Sequence, residues 1–343
     1  MYSVTNHRGF IPQNEQFEDR EMVGEDIKSY KIIEYGEFAY NPARINVGSI
    51  ARYIGSEPCM ISSLYVCFKP SNEIDGSFLM QFLKSPKANF YYNANGEGGV
   101  RIYLFYPNFA RIRTAIPSLS EQGKISSLLS IIDERIATQR RLIEDLEKLK
   151  SSIVDRIFSD VDGQVVKYRD ILEVSTQRND GKADYRILSA SQEFGMIERE
   201  SLDIDIKAEA KSVKTYKRVH PGDYVLHLRS FQGGVAFAEV EGICSPAYTI
   251  LRPNKRLEYG YLKEYFNSSK FIKSLVLVTY GIRDGRSINV EEFLDMNISI
   301  HHKDIQTEIV KSLSKLGDKL NVEASILNKY EQQRNYLLDK LFI

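Results

Sequence analysis

The sequence predicts an α+β protein: two similar strand-rich domains separated by two long antiparallel coiled-coil helices. Three observations carry that reading. Residues 120–158 and 304–342 align without a gap at an offset of 184. Both segments step apolar residues by 4 and 3 alternately, the signature of a helix that buries one narrow seam. The mixed regions ahead of them share Tyr and Gly landmarks at offsets of 183 to 186. The boundaries follow as 1–116 for the first domain, 117–158 for the first helix, 159–300 for the second domain and 301–343 for the second helix.

In the first domain YKIIEYGEFAYNPARINVGSI begins at Tyr30, and YKRVHPGDYVLHLRSFQGGVA begins at Tyr216 in the second. Tyr30, Gly36 and Gly48 match Tyr216, Gly222 and Gly234. The turn at Gly36 and its counterpart at Gly222 should start matching strands at Phe38 and Tyr224. Alternating apolar patterns predict strands at 31–33, 37–40, 63–68 and 101–105. Residues 77–84 and 259–267 instead repeat apolar side chains at helical spacing and predict a short helix in each domain. The second domain carries a lead-in from Gly163, GQVVKYRDILEVSTQRNDGKAD, where an edge strand and a short helix would pack before the repeated core. The first copy begins near Tyr2, matched to Tyr185, without such a lead-in. Two readings follow, an amino-terminally shortened form or a natural start further upstream; a missing lead-in would leave an edge of the first domain uncovered.

The first helical seam runs Ile125, Leu129, Ile132, Ile136, Gln139, Ile143, Leu146, Lys150, Ile153 and Ile157. The second runs Ile309, Leu313, Leu316, Leu320, Glu323, Leu327, Tyr330, Arg334, Leu337 and Leu341. A seam this long buries nothing on a lone helix, so each helix needs a partner. Packing of each helix against its own domain is the other solution. Polar Gln139 and Glu323 occupy one position of both seams, where antiparallel pairing would use them to fix register. Ser118 or Ser120 is the expected cap of the first helix and Asp304 of the second. About 40 residues at 1.5 Å each make a rod of about 60 Å.

With 343 residues and 43% hydrophobic content, the chain has material for two cores. Net charge is zero, with 12 basic and 12 acidic residues in 1–116 and 20 and 19 in 165–300. Any nucleic-acid footprint must therefore be local. Cys59, Cys67 and Cys244 have neither disulfide-scaffold nor zinc spacing, and no HExxH is present. No long apolar run or signal-peptide layout appears, so a cytoplasmic protein with no membrane partner is expected. NANGEGGVR lacks the lysine and hydroxyl of a phosphate-binding loop. Asp203 and Asp205 in ERESLDIDIKAEAK read as a solvated segment rather than a nuclease's metal carboxylates.

Polar loops at matching places suit DNA better. Asn6 and Arg8 precede or flank Gly9, as Ser191 and Gln192 precede Gly195. Arg44 and Asn46 follow one strand, and Arg229 and Gln232 follow its counterpart. Asn and Gln suit adenine edges, and Arg suits guanine. Arg101 follows a glycine-rich stretch in the first domain, and Arg283 and Arg286 lie in TYGIRDGRS in the second. Lys214 and Lys217, in a run with Lys211 and Arg218, could add phosphate contacts or form only a solvated face. Ordinary turn or surface structure remains an alternative for every one of these residues.

The opening YSVTNHRGFIPQ, the ARINVGSIARY segment, the helix IPSLSEQGKISSLLSIIDERIATQRRLIEDLEKLKSSIVDRIF and the second copy ending QQRNYLLDKLF resemble the DNA specificity subunit of Type I restriction-modification systems. The resemblance spans essentially the whole chain. It implies two target recognition domains, each reading half of an asymmetric bipartite site in double-stranded DNA, with the helices as a spacing ruler. It implies no catalytic centre and no cofactor in this chain. The implied partners are two DNA methyltransferase (modification) subunits, which use S-adenosylmethionine on adenine, and restriction subunits, which use ATP and Mg2+. A coiled-coil interaction scaffold without specific DNA binding, and an unrecognised nuclease, are the other readings.

Overall fold

The computed structural model describes residues 1–6, 8–16, 29–99, 101–159, 161–181, 185–191, 194–201, 213–227, 234–280 and 287–342. The chain divides into two compact units, residues 1–141 with 324–343, and residues 142–323. The first long helix (Leu119–Ile157) and the second (Lys303–Leu341) each contribute residues to both units. The compact bodies thus cut across the division into domains and helices that the sequence suggests.

Unit 1 opens with the hairpin β1 (Tyr2–Thr5) and β2 (Gly9–Pro12). It continues through β3 (Lys31–Ile33), β4 (Phe38–Tyr40), β5 (Ile50–Arg52), β6 (Cys59–Ile61) and β7 (Val66–Phe68). These form one sheet of order β2-β1-β6-β3 and another of order β5-β4-β7. Helices α1 (Gly76–Leu83) and α2 (Pro86–Asn95) follow, capped by Asp75 and Ser85, which accept from the amides of Phe78 and Ala88. Such caps satisfy amides that a helix start leaves open. The core gathers Phe38, Tyr40, Phe78, Phe82 and Tyr92 with Leu129 of the first long helix and Leu338 and Phe342 of the second. The start of one long helix thus meets the end of the other. Arg334 binds Asp133 and Arg140 pairs with Glu331, so the two run antiparallel within this unit.

Unit 2 adds a lead-in, β8 (Gly163–Lys167), one 3-10 turn and β9 (Leu172–Ser175). Then the same order returns as β10 (Leu188–Ser191), β11 (Gly195–Glu198), β12 (Lys217–Val219), β13 (Tyr224–Leu226), β14 (Val235–Phe237), β15 (Gly242–Cys244) and β16 (Thr249–Pro253). The sheet β14-β13-β16-β9 repeats β5-β4-β7 with one strand more. Helix α3 (Ser269–Leu275), the two-residue strands β17 (Thr279–Tyr280) and β18 (Ser287–Ile288), helix α4 (Val290–Asp295) and β19 (Asn297–His301) complete the unit. Its core unites Tyr224, Phe266, Phe271 and Phe293 with Val154 and Phe158 of the first long helix and Ile309 and Leu313 of the second. Antiparallel contact recurs here, an end against a start. Phe158 and Phe342, 184 residues apart, are each 3% exposed and do the same work in their two cores.

All ten positions of each predicted seam are buried or half-buried. Both expected solutions operate, because the helices pair with each other and also enter the domain cores. Two tethers absent from the seam reading fix the helix starts. Gln122 accepts from the Asp75 amide and donates to the carbonyls of Glu73 and Pro117. Gln306 accepts from the Glu258 amide and donates to Arg256 and His301 in the same pattern. Both amides are nearly inaccessible, and full pairing is what makes such burial tolerable.

Several expectations need correction. Ser118 caps the first helix, in a reciprocal box with Glu121, but Asp304 lies inside the second helix, which begins at Lys303 with Gln306 bonding back to the His302 carbonyl. Residues 101–105 form no strand; Tyr103 makes a single bridge to Glu97, and Leu104 bonds Pro42. Residues 259–267 give turns and a 3-10 segment rather than an α-helix, because Gly260 takes φ 77 and successive bonds close over three residues. Hairpin register matches Tyr2 to Leu188 rather than to Tyr185, since β1 and β2 repeat as β10 and β11 at an offset of 186. The turns before Phe38 and Tyr224 are as expected, with Gly36 and Gly222 at φ 87 and 96.

Candidate nucleic-acid interface

Two of the predicted contacts converge in unit 1. Asn6 sits in the β1–β2 turn, and Asn46 lies in a 3-10 turn (Ile45–Val47) between β4 and β5. Gly48 closes that turn at φ 96, and a Cβ there would stand 2.7 Å from the Asn6 Oδ1. Glycine is therefore what lets the two loops meet. Asn6 and Asn46 line one wall of an open cleft of about 410 Å³, whose other walls carry Lys84, Asn89 and Arg334. Asn46 donates to the Asn93 Oδ1 at 3.3 Å, a long bond at an exposed site. Its amide is thus held near the cleft without being consumed by the core.

Charge in this cleft comes from residues that sequence reading missed. Partial burial and then the neighbouring Arg334 guanidinium pull the Lys84 ammonium below its ordinary pKa, with Asp133 acting against them. Arg334 binds Asp133, and Gln81 donates to the same carboxylate at 3.0 Å. The available signal was the polar step of the seam. Arg334 and Lys150 occupy it at an offset of 184, and Lys150 pairs with Glu264 at 2.8 Å in unit 2. The cation at that step ties the first long helix to Glu264 of the second mixed domain, whereas Arg334 pairs with Asp133 of the other long helix and reaches Gln81 of the first mixed domain at 3.4 Å. Lys84 itself had no such signal, since only the fold brings it beside Asn6.

The other predicted residues lie apart from the cleft or are otherwise engaged. Arg8 is exposed and pairs with Glu15 at 2.8 Å. Arg44 is exposed at the start of the Asn46 turn, and Arg101 is exposed at the tip of the loop closed by the Glu97–Tyr103 bridge. In unit 2 the Ser191 hydroxyl accepts from the Phe194 amide and shapes the β10–β11 turn. Lys214 is exposed. Lys217 donates to the Tyr248 carbonyl at 2.6 Å, as Lys31 does to Tyr65 in unit 1, so that ammonium has a structural duty in both copies. Arg218 beside it pairs with Glu241 and covers the Tyr185 ring. Gln192, Arg229, Gln232, Arg283 and Arg286, with Lys211, Asp203 and Asp205, lie outside the described residues.

Among the described residues no cluster of His, Cys, Asp and Glu is suited to a metal ion, and no helix is long and apolar enough to cross a membrane. Burial raises the Cys59, Cys67 and Cys244 thiols, the last to about 12, which disfavours the thiolate a nucleophile needs. Amides and cations at an open cleft suit the edges and phosphates of a nucleic acid.

Residues 20–148 match the family described as the Type I restriction modification DNA specificity domain. That match covers 129 of the 343 residues. The family's description assigns DNA specificity to the matched domain. Two solved structures share the family's fold with this chain. A chain from a type I restriction-modification system, in a study of complex assembly and conformational transition, is 18% identical with a TM-score of 0.59, over 90% of this chain and 82% of that one. The specificity subunit of a type I restriction-modification system from M. genitalium is 15% identical with a TM-score of 0.53, over 91% and 84%. Among curated proteins no sequence matches significantly. The matched residues 20–148 cover most of the first mixed domain and much of the first long helix, and the strand order of unit 2 extends the same plan to the second copy.

Proposed function

We propose that the chain reads an asymmetric, two-part site in double-stranded DNA, one half with each mixed domain, without catalysing a reaction itself. The observation that carries this reading is one scaffold with unlike loops. Seven strands recur in order, while the turn after β4 presents Arg44 and Asn46 and the segment after β13 holds Arg229 and Gln232. Equal frames with different edge-reading side chains suit two different half-sites. In unit 1, Asn6 and Asn46 are the base-reading candidates, with Lys84 and Arg44 as phosphate contacts.

The same proposal gives the long helices a second task, as the binding surface for two DNA methyltransferase subunits and for restriction subunits. S-adenosylmethionine would then be held by the former, and ATP with Mg2+ by the latter. The shared name of the family supports these partners, as does the number of apolar side chains left exposed on the helices, among them Leu128, Ile131, Leu142, Leu149 and Val322. The test is selection of bound DNA from a random library by the chain assembled with methyltransferase subunits. Two short blocks at a fixed separation are expected. Enrichment of a single block, or of none by an assembled and active complex, overturns the bipartite reading.

A further inference from the structure

Each unit joins its mixed domain to the long helices in the same way, and the two joints differ in charge. Gln81, Lys84, Ser85 and Asn89 of unit 1 match Glu264, Asn267, Ser268 and Ile272 of unit 2 at an offset of 183. The match is structural as well, because Ser85 accepts from the Ala88 amide and Ser268 from the Phe271 amide, each capping the helix that follows. On the long helices Arg334 matches Lys150, and Asp133 matches Gly317, at an offset of 184.

In unit 2 one cation meets one carboxylate, Lys150 on Glu264 at 2.8 Å, with both side chains largely covered. Unit 1 has neutral Gln81 in place of that carboxylate and a second cation, Lys84, in place of Asn267. A single carboxylate, Asp133, serves both Arg334 and Lys84. One positive charge is left over. Lys84 and Arg334 both line the cleft of about 410 Å³, and among the described residues no carboxylate lines it. Partial burial and then the Arg334 guanidinium hold the Lys84 ammonium below its ordinary pKa, so an anion between the two relieves a repulsion already present.

Donors at the cleft specify what kind of anion fits. Arg334 gives its Nε to Asp133 and reaches the Gln81 Oε1 with Nη2 only at 3.4 Å, and a guanidinium carries five N–H donors in all. Asn6, Asn46 and Asn89 bring amides from other walls, the last where unit 2 has the apolar Ile272. A carboxylate offers two oxygens in one plane. A phosphate offers oxygens in several directions and a full charge, which suits a fork and a point charge set beside amides.

We infer that the unit 1 cleft binds one phosphate group between Lys84 and Arg334, and that the corresponding place in unit 2 does not. Arg334, on the second long helix, thereby becomes a phosphate contact. The phosphate is either a phosphodiester of DNA or free phosphate, and the chemistry of the site is the same for both. The site itself stands on the charge difference between the units; only the phosphodiester source rests on the DNA reading.

The test uses the full chain and inorganic phosphate, with hydrogen exchange read by mass spectrometry against chloride at equal ionic strength. Phosphate at about twice its dissociation constant should slow exchange about threefold, as linkage to the folded form requires. That slowing is expected at 84–93 and 330–338 of unit 1 and not at 264–275 of unit 2. Lys84→Asn, which installs the unit 2 residue, should abolish it. Gln81→Glu, which supplies the missing carboxylate, should weaken it. With DNA bound, the phosphate effect disappears if a phosphodiester fills the site and persists if free phosphate does. No slowing, slowing of equal size in both units, or slowing that survives Lys84→Asn overturns the inference. Failure of DNA to bind leaves the phosphate result standing and overturns the half-site reading instead.

Discussion

The two mixed domains share a frame and differ in how that frame is finished. Unit 2 adds β8 and β9, and buries Asp223 at 2% exposure against Arg252, with the Nε and Nη2 bonds at 2.9 and 3.0 Å and His220 beside them. In unit 1 the same turn uses Glu37, half-buried, whose carboxylate accepts from the Glu34 amide as Asp223 accepts from the His220 amide. The turn geometry has been kept and the ion cluster has not. Backbone frames therefore tolerate divergence that buried charges do not, since a buried ion demands all of its partners together.

The largest effect should come from the features the two units share. Phe342→Ala should destabilise unit 1, and Phe158→Ala unit 2, by about 3 to 5 kcal/mol each, the usual cost of emptying a large aromatic site. Exchange protection resolved along the chain should locate each loss in its own unit. A loss spread equally over both units by either variant would break the picture of two separately cored bodies.

Next comes the divergent turn. Asp223→Ala should cost about 2 to 3 kcal/mol, somewhat under the usual figure for breaking a buried pair because Arg252 retains access to water. Glu37→Ala should cost about 1 kcal/mol or less, as one amide bond at a half-buried site implies. Denaturant melts of the two variants check this, and equal losses would show that the ion cluster adds nothing to the turn.

The DNA-facing comparison is smaller again. Asn46→Ala should weaken discrimination at one base of one half-site by about 1 to 2 kcal/mol, the scale of a good edge contact, and leave the other half-site unaltered. Lys84→Ala should weaken binding across all sequences and reduce the salt slope by about 1. Competition binding with single-base variants separates the two patterns. A uniform loss from Asn46→Ala would remove it from the base-reading set.

The smallest effect concerns pH. Burial holds His301 below its ordinary pKa of 6.5, with Asp162 acting the other way. The folded form thus keeps the ring neutral, while the unfolded chain takes up a proton. This contribution to the stability of unit 2 should be fully present above pH 6.5 and be lost as pH drops from there towards the lower folded value. Unit 1 has Pro117 at the matching position, so this contribution is absent there. His301→Gln should flatten the acid slope of unit 2, and an unchanged slope would assign it to other groups.

Much of this was legible from residues. The 4-3 seam foretold which twenty positions of the long helices would be covered, because helical period alone decides which side chains share a face. Gly36 and Gly222 marked the starts of β4 and β13 through turn chemistry. Asn6 and Asn46 were picked from loop position, and the fold brings both to one cleft. Residues 259–267 misled, since Gly260 in the left-handed region interrupts a pattern that otherwise reads as helix. Lys217 misled in another way: a basic run looks the same whether its ammonium meets solvent or, as here, the Tyr248 carbonyl.

The sequence by itself determined the duplication, the two long helices and the matching strand starts at Phe38 and Tyr224, because these rest on local periodicity and on repeated landmarks; the seven-strand order came from the fold. Tertiary structure alone decided that Gln122 and Gln306 tether the helices and that Arg334 joins Lys84 at the Asn6 cleft. Each of these depends on which distant segments meet, over separations such as the 250 residues between Lys84 and Arg334. Residue type and spacing carry no record of such a meeting.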